Sequence, residues 1–195
     1  MLHSYRGRMR LRILLASACA VTALAATATI VVAERSAPTT IRVTLKNDNG
    51  TAVGTVSFAA RSARGPVTVA ASARRLKAGF HGFHVHAVGR CEAPTFMSAA
   101  GHLKATGQNH RDHTGDLSSL LAKRNGTAAL RLTTDRFTLA DLRDADGSAV
   151  MIHAEPDNFA HVPARYAPTG PDQATLDTGD SGARVACGAI KAARG

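Results

Sequence analysis

The chain has no tryptophan, only two tyrosines and only three cysteines in 195 residues. So few aromatic side chains leave little for nucleobases to stack on. The Lys and Arg residues are also scattered among acids rather than clustered, and both facts argue against nucleic acid as a partner. Acids are scarce too, with 14 Asp and Glu against 24 Lys and Arg, a net charge of +10. A basic balance of this kind suits an anionic substrate or an anionic cell envelope. No internal repeat is visible.

The one long apolar stretch lies at the N terminus. Arg6, Arg8, Arg10 and Arg12 form a basic region, an uncharged run from Ile13 to Ala33 follows, and Glu34-Arg35 ends it. This predicts a signal peptide or N-terminal membrane anchor over residues 1–33, with small-residue cleavage points after Ala28 or Ala33. Ala16-Ser17-Ala18-Cys19 loosely resembles a lipoprotein attachment box without its usual leading Leu. The expected domain is 34–195, long enough for one core and exported to the cell envelope, a periplasm-like space or the medium. Its charge is still +6, from 20 Lys and Arg against 14 acids. Cys91 and Cys187 remain after the leader. An even pair in an exported domain suggests one disulfide, the alternative being two buried free thiols.

From Ile41 onward the pattern is β. Ile41-Arg42-Val43-Thr44-Leu45 alternates apolar and polar, and 52–59, 67–71, 83–88, 127–132, 149–153 and 184–190 are further strand candidates. Asn49-Gly50 and Asn125-Gly126 are hairpin turn signals. Short strands at turn-punctuated intervals predict an all-β antiparallel sandwich or barrel. Thr138 to Arg143 reads as a helical turn. Two stretches, roughly 90–116 and 154–183, are long Gly-, Pro- and Asp-rich loops, a length that is uncommon unless the loop has work to do.

Histidine carries the chemistry. In Gly82-Phe83-His84-Val85-His86 the two histidines are two residues apart, so a strand points both to one face, where they can grip one metal ion. His153 ends another strand candidate. His102, His110, His113 and Asp116 come from the first long loop. All-imidazole ligation suits copper, while three His and a carboxylate suit tetrahedral zinc. Two groups with one shared imidazole would make a two-metal site.

These segments, together with Ser98-Ala99-Ala100-Gly101-His102, Gly115-Asp116-Leu117, Ile152-His153-Ala154 and Gly182-Ala183-Arg184-Val185-Ala186-Cys187-Gly188, occur in the order found in one family. From about Ile41 to Ile190 the chain resembles the Cu/Zn superoxide dismutases of the bacterial exported type. The resemblance implies an eight-stranded Greek-key β-barrel or sandwich with two long functional loops. It also implies an oxidoreductase that disproportionates superoxide to dioxygen and hydrogen peroxide, with copper and zinc as cofactors. It makes His84, His86, His102 and His153 copper ligands, and His102, His110, His113 and Asp116 zinc ligands. His102 would bridge the two metals. Arg184 would attract the anion beside copper, so His102 and Arg184 are the catalytic candidates. Asp157 would link copper-side and zinc-side histidines, His81 would be structural, and Cys91–Cys187 would be the intrasubunit disulfide.

The departure lies in the zinc loop. His110 and His113 are only three apart, where the family has a longer insertion. Leu103-Lys104 follows His102 in place of an aromatic-Asn-Pro run. This spacing puts zinc binding in question. Two other motifs were weighed. Gly179-Asp180-Ser181-Gly182 resembles the nucleophile motif of trypsin-like proteases, but it lacks an upstream histidine segment and reads as a loop before the last strand. Asp144-Ala145-Asp146-Gly147 is a turn rather than a calcium loop. His3 and His161 lack partners in the pattern. The alternative function is an exported copper-binding or copper-delivery protein with little dismutase activity. Monomer and homodimer are both open.

Overall fold

A computed structural model describes residues 39–62 and 64–193. The expected signal peptide or anchor over residues 1–33, and His3 within it, lie outside the described residues. Nine strands form one antiparallel sheet: β1 (Thr39–Lys46), β2 (Ala52–Ala60), β3 (Val67–Ala73), β4 (Gly79–His81), β5 (Phe83–His86), β6 (Leu120–Ala122), β7 (Ala128–Thr134), β8 (Ser148–His153) and β9 (Arg184–Ile190). The order across the sheet is β4-β6-β7-β3-β2-β1-β9-β8-β5. Its two ends, β4 and β5, are separated in sequence by Gly82 alone, so the sheet curls into a nearly closed barrel. The non-local pairs β3–β7 and β1–β9 supply the crossovers expected of a Greek key.

The alternation read from the sequence becomes the core. On β1, Ile41, Val43 and Leu45 are buried while their neighbours face water, and β2 and β3 contribute Val53, Val56, Phe58, Val67 and Val69 to the same cluster. Gly50 and Gly126 turn two hairpins at φ of 76° and 75°, the left-handed region that glycine enters without strain. The strand count is nine rather than eight because Gly82 divides residues 79–86 into β4 and β5; β4 and β6, at three residues each, are too short for alternation to mark. The helical turn expected near Thr138 is a 3-10 turn at Asp141–Arg143.

Both long loops are present and neither is featureless. The first carries a 3-10 turn at Met97–Ala99. The second carries α1 (Gln173–Thr178), which Asp172 caps by accepting a hydrogen bond from the Thr175 amide. A disulfide joins Cys91 to Cys187, with Cα atoms 5.7 Å apart, and ties the first loop to β9 across 96 residues. In the chain-entropy model such a closure is worth about 4–5 kcal/mol. The bridge sits in a second apolar cluster with Phe96, Ala99, Ala149 and Met151.

Candidate metal centre

Two elements bring the histidines together. β5 presents His84 and His86 on one face, while Phe83 and Val85 point into the barrel core. The first loop then runs back along β5. The Leu103 amide donates to Val85 O at 2.8 Å and the Val85 amide to Gly115 O at 2.9 Å, and isolated bridges pair His84 with Asp116 and His86 with His102. Gly115 permits this, because a Cβ there would collide with the Val85 carbonyl. β8 ends on His153, which stands directly opposite Arg184 of β9 past a register shift.

His84, His86, His102 and His153 each offer a ligand atom within 4.8 Å of the others, and all four are buried. Each ring has one nitrogen tied down. His84 Nε2 donates to Asp157 Oδ2 at 2.7 Å. His86 Nδ1 donates to Ala100 O at 2.9 Å, and His153 Nδ1 to Gly182 O at 3.1 Å. His102 Nδ1 faces Asp116 Oδ1 at 2.9 Å. The free nitrogens converge. His86 Nε2 and His153 Nε2 are 3.3 Å apart, and His84 Nδ1 is buried without a partner. Buried polar atoms are ordinarily satisfied, so an orphaned imidazole nitrogen aimed at other imidazoles marks a cation site. The tied nitrogens also fix tautomer and ring orientation, as partners behind metal ligands do.

The second group is His102, His110 and Asp116, reached also by His84, with donor atoms within 4.8 Å of one another. His84 has already committed Nε2 to Asp157, and its orphaned Nδ1 belongs to the first group. His113 borders this group. Its Nδ1 lies 3.3 Å from His102 Nδ1 and 3.5 Å from Asp116 Oδ1, and His110 Nδ1 lies 3.2 Å from Asp116 Oδ2. A tetrahedral ion with ligands at 2.0–2.1 Å has donor–donor edges of about 3.3–3.4 Å. The two His113 separations, to His102 Nδ1 and to Asp116 Oδ1, are near that edge length.

The imidazoles do not all titrate alike. Burial lowers His102 and His153 to about 4 and His86 well below its ordinary range, so these rings are neutral and ready to ligate. Burial would lower His110 as well, but hydrogen bonds to Asp116 and Asp157 outweigh it and raise the ring to about 9. Burial alone would raise Asp116 and Asp157; their histidine partners hold both carboxyls below the usual range instead. Asp157 joins the halves, accepting from His84 through Oδ2 and from His110 through Oδ1, each at 2.7 Å.

A family model for copper/zinc superoxide dismutase matches residues 52–190. The chain belongs to the copper/zinc superoxide dismutase family. It is 43% identical over 173 residues to the Cu-Zn superoxide dismutase of Mycolicibacterium paratuberculosis, covering 80% of this chain and 76% of that protein. It is 44% identical over 163 residues to the Mycobacterium tuberculosis enzyme, covering 75% and 68%. Among solved structures, a SOD-like protein from Bacillus subtilis matches at 28% identity with a TM-score of 0.61, over 76% of this chain and 97% of that one. The family's copper and zinc fit the two donor sets described here, and superoxide is the substrate.

His84, His86, His102, His110, His153 and Asp116 fall in the two donor groups, Asp157 joins them, and His113 lies beside His102 and Asp116. Arg184 lines the cleft that opens on His86, His102 and His153. Its guanidinium donates to the carbonyls of Phe96 and Ala100, both at 2.6 Å. His81 is buried with its ring nitrogens against the carbonyls of His153 and Lys77 and takes no part in the cluster, while His161 is exposed. Two contributors were not foreseen. Arg136 donates to His113 O at 3.0 Å from beyond the end of β7. Gly179, at φ 61°, lies where a Cβ would strike both Asp157 Oδ1 and His110 Nε2. The Gly179–Gly182 stretch is thus a structural element of this dismutase. Ser181 is buried and donates to Thr178 O, and Gly182 holds His153. Asp144–Gly147 is a turn closed by the Gly147 amide on Asp144 O.

Proposed function

We propose that His84, His86, His102 and His153 hold copper, that His102, His110, His113 and Asp116 hold zinc, and that this pair of sites dismutes superoxide. The supporting observation is the convergence of nitrogens from His84, His86 and His153, whose opposite ring atoms are anchored on Asp157, Ala100 and Gly182. Bound copper supplies the one-electron exchange with superoxide, and bound zinc orders the first loop. The chain's own residues do the rest. Arg184 keeps its charge at any working pH and draws the anion to the open side of the cleft. Its two carbonyl contacts hold the guanidinium beside His86 and His153. Asp116 holds His102 through Nδ1, which leaves Nε2 as the free nitrogen of that ring. Asp157 keeps His84 and His110 in register with each other.

A copper carrier without turnover is not favoured, because the arginine stands on the same cleft as the donor nitrogens. The test is metal content and dismutation on one sample. Copper, about one zinc per chain and activity support the reading; copper without activity overturns it in favour of a carrier. We further propose that residues 1–33 export the domain and that its net positive charge favours contact with an anionic envelope. Fractionation of the native host would test this. A homodimer is also proposed, with Phe80 and Leu121, exposed and directly opposed on β4 and β6, as the apolar surface it would cover. Light scattering would test it.

A further inference from the structure

Met97 stands on the 3-10 turn of the first loop with 65% of its surface exposed, although its neighbours Phe96 and Ala99 are buried in the cluster around the disulfide. Of the four methionines, Met1 and Met9 lie in the leader and Met151 is fully buried; the domain's two cysteines are joined to each other. Met97 is therefore the one exposed sulfur side chain among the described residues. It lines the same cleft, of about 710 Å³, as His86, His102, His153 and Arg184.

The turn that presents it is firmly held. Phe96 and Ala100, on either side, adopt left-handed φ of 55° and 59°. Arg184 grips the carbonyls of both, and the Ala100 amide closes the turn on Met97 O at 3.0 Å. Backbone held this way costs free energy and persists only where the surroundings over-determine it. An apolar side chain gains nothing by being fixed in water at the lip of a polar cleft. A thioether does have a use there, because it is a soft, uncharged ligand that suits Cu(I).

We propose that Met97 captures cuprous ion at the mouth of the cleft and passes it inward to His86 and His153. The inference rests on the reading that those histidines hold copper. The transfer is a ligand exchange with no change of oxidation state. The thioether sulfur takes Cu(I) from its donor, and the imidazole nitrogens then displace the sulfur. Zinc and Cu(II), which prefer imidazole or oxygen, have no need of this entry.

The test uses the full-length chain, stripped of copper and loaded with zinc, and follows copper uptake from a coloured Cu(I) chelate by stopped flow. M97L preserves size and apolarity and removes only the sulfur. It should slow Cu(I) uptake about tenfold, equivalent to about 1.4 kcal/mol on the barrier. Final copper content, dismutation per bound copper and the rate of Cu(II) uptake should stay unchanged. Equal Cu(I) rates in the two proteins would overturn the proposal. So would equal slowing for Cu(I) and Cu(II), which would mean that Met97 shapes the cleft rather than binds metal. If the unaltered protein takes up copper in neither state, the copper site itself is refuted, and that failure is separate from any effect of M97L.

Discussion

The two halves of the histidine cluster rest on different foundations. His84, His86 and His153 stand on β5 and β8, whose every residue is buried and whose register is set by a ladder from Phe83↔Ile152 to His86↔Ala149. His102, His110, His113 and Asp116 stand on a loop with no strand of its own. That loop is held by backbone bonds to β5, by the disulfide, by Asp157 and by Arg136. The strand-borne half is positioned by the same burial that stabilises the barrel. The loop-borne half gathers three imidazoles and a carboxylate on backbone anchored to the barrel core at Leu103 and Leu117. The comparison teaches that the strand-borne donors are placed by folding of the barrel, whereas the loop-borne donors, His102 among them, depend on how the loop is tied to it.

The strongest way to break this comparison is to remove a strand-borne donor. H84A and H153A should abolish both copper binding and dismutation, read by metal analysis and a dismutation assay. Full activity in an H84A protein lacking copper would falsify the mechanism. H113A acts on the other half. It should strip zinc and lower the melting temperature while most of the copper remains, and equal loss of both metals would show that the halves are not independent. D157N touches both. The carboxylate accepts from His84 and His110, so affinity for both metals should fall roughly 10–100-fold, the usual effect of removing a partner behind a ligand.

R184A leaves both donor sets intact. It should lower kcat/KM by roughly tenfold and flatten its dependence on ionic strength, because attraction of the anion is the contribution being removed. An unchanged salt slope would assign Arg184 to propping the carbonyls of Phe96 and Ala100 alone. The smallest effect belongs to R136A, which removes one hydrogen bond to His113 O. A cost of about 1 kcal/mol is expected, with faster amide exchange in residues 104–116 and none in β5 or β8. Faster exchange in β5 as well would mean that the strand-borne half leans on the loop.

Legibility in the sequence follows the same division. His84-Val85-His86 announces itself because a strand alternates with period two, and seven of the nine strands showed through alternation or β-branched content. β4 and β6 did not, because three residues carry no period. The loop donors were found as residue types in a familiar order, but the spacing of His110 and His113 left their geometry open. Backbone direction, not sequence distance, decides where two nitrogens meet. Gly179 showed only as part of a Gly-rich loop, and Arg136 gave no signal at all. One matters for what it lacks beside Asp157 and His110, the other for a carbonyl 23 residues back in the chain.

The sequence by itself determined the alternating strands and the two turn glycines, which are local properties of backbone and burial. It also determined the inventory of donors, the single pair of cysteines in the domain and the excess of positive charge. The tertiary structure decided which nitrogen of each imidazole is anchored and which is free, that one carboxylate serves both halves, and that Arg184 and Met97 share one cleft. Those facts depend on long-range register and on loops laid against β5, and neither is written in any local stretch of residues.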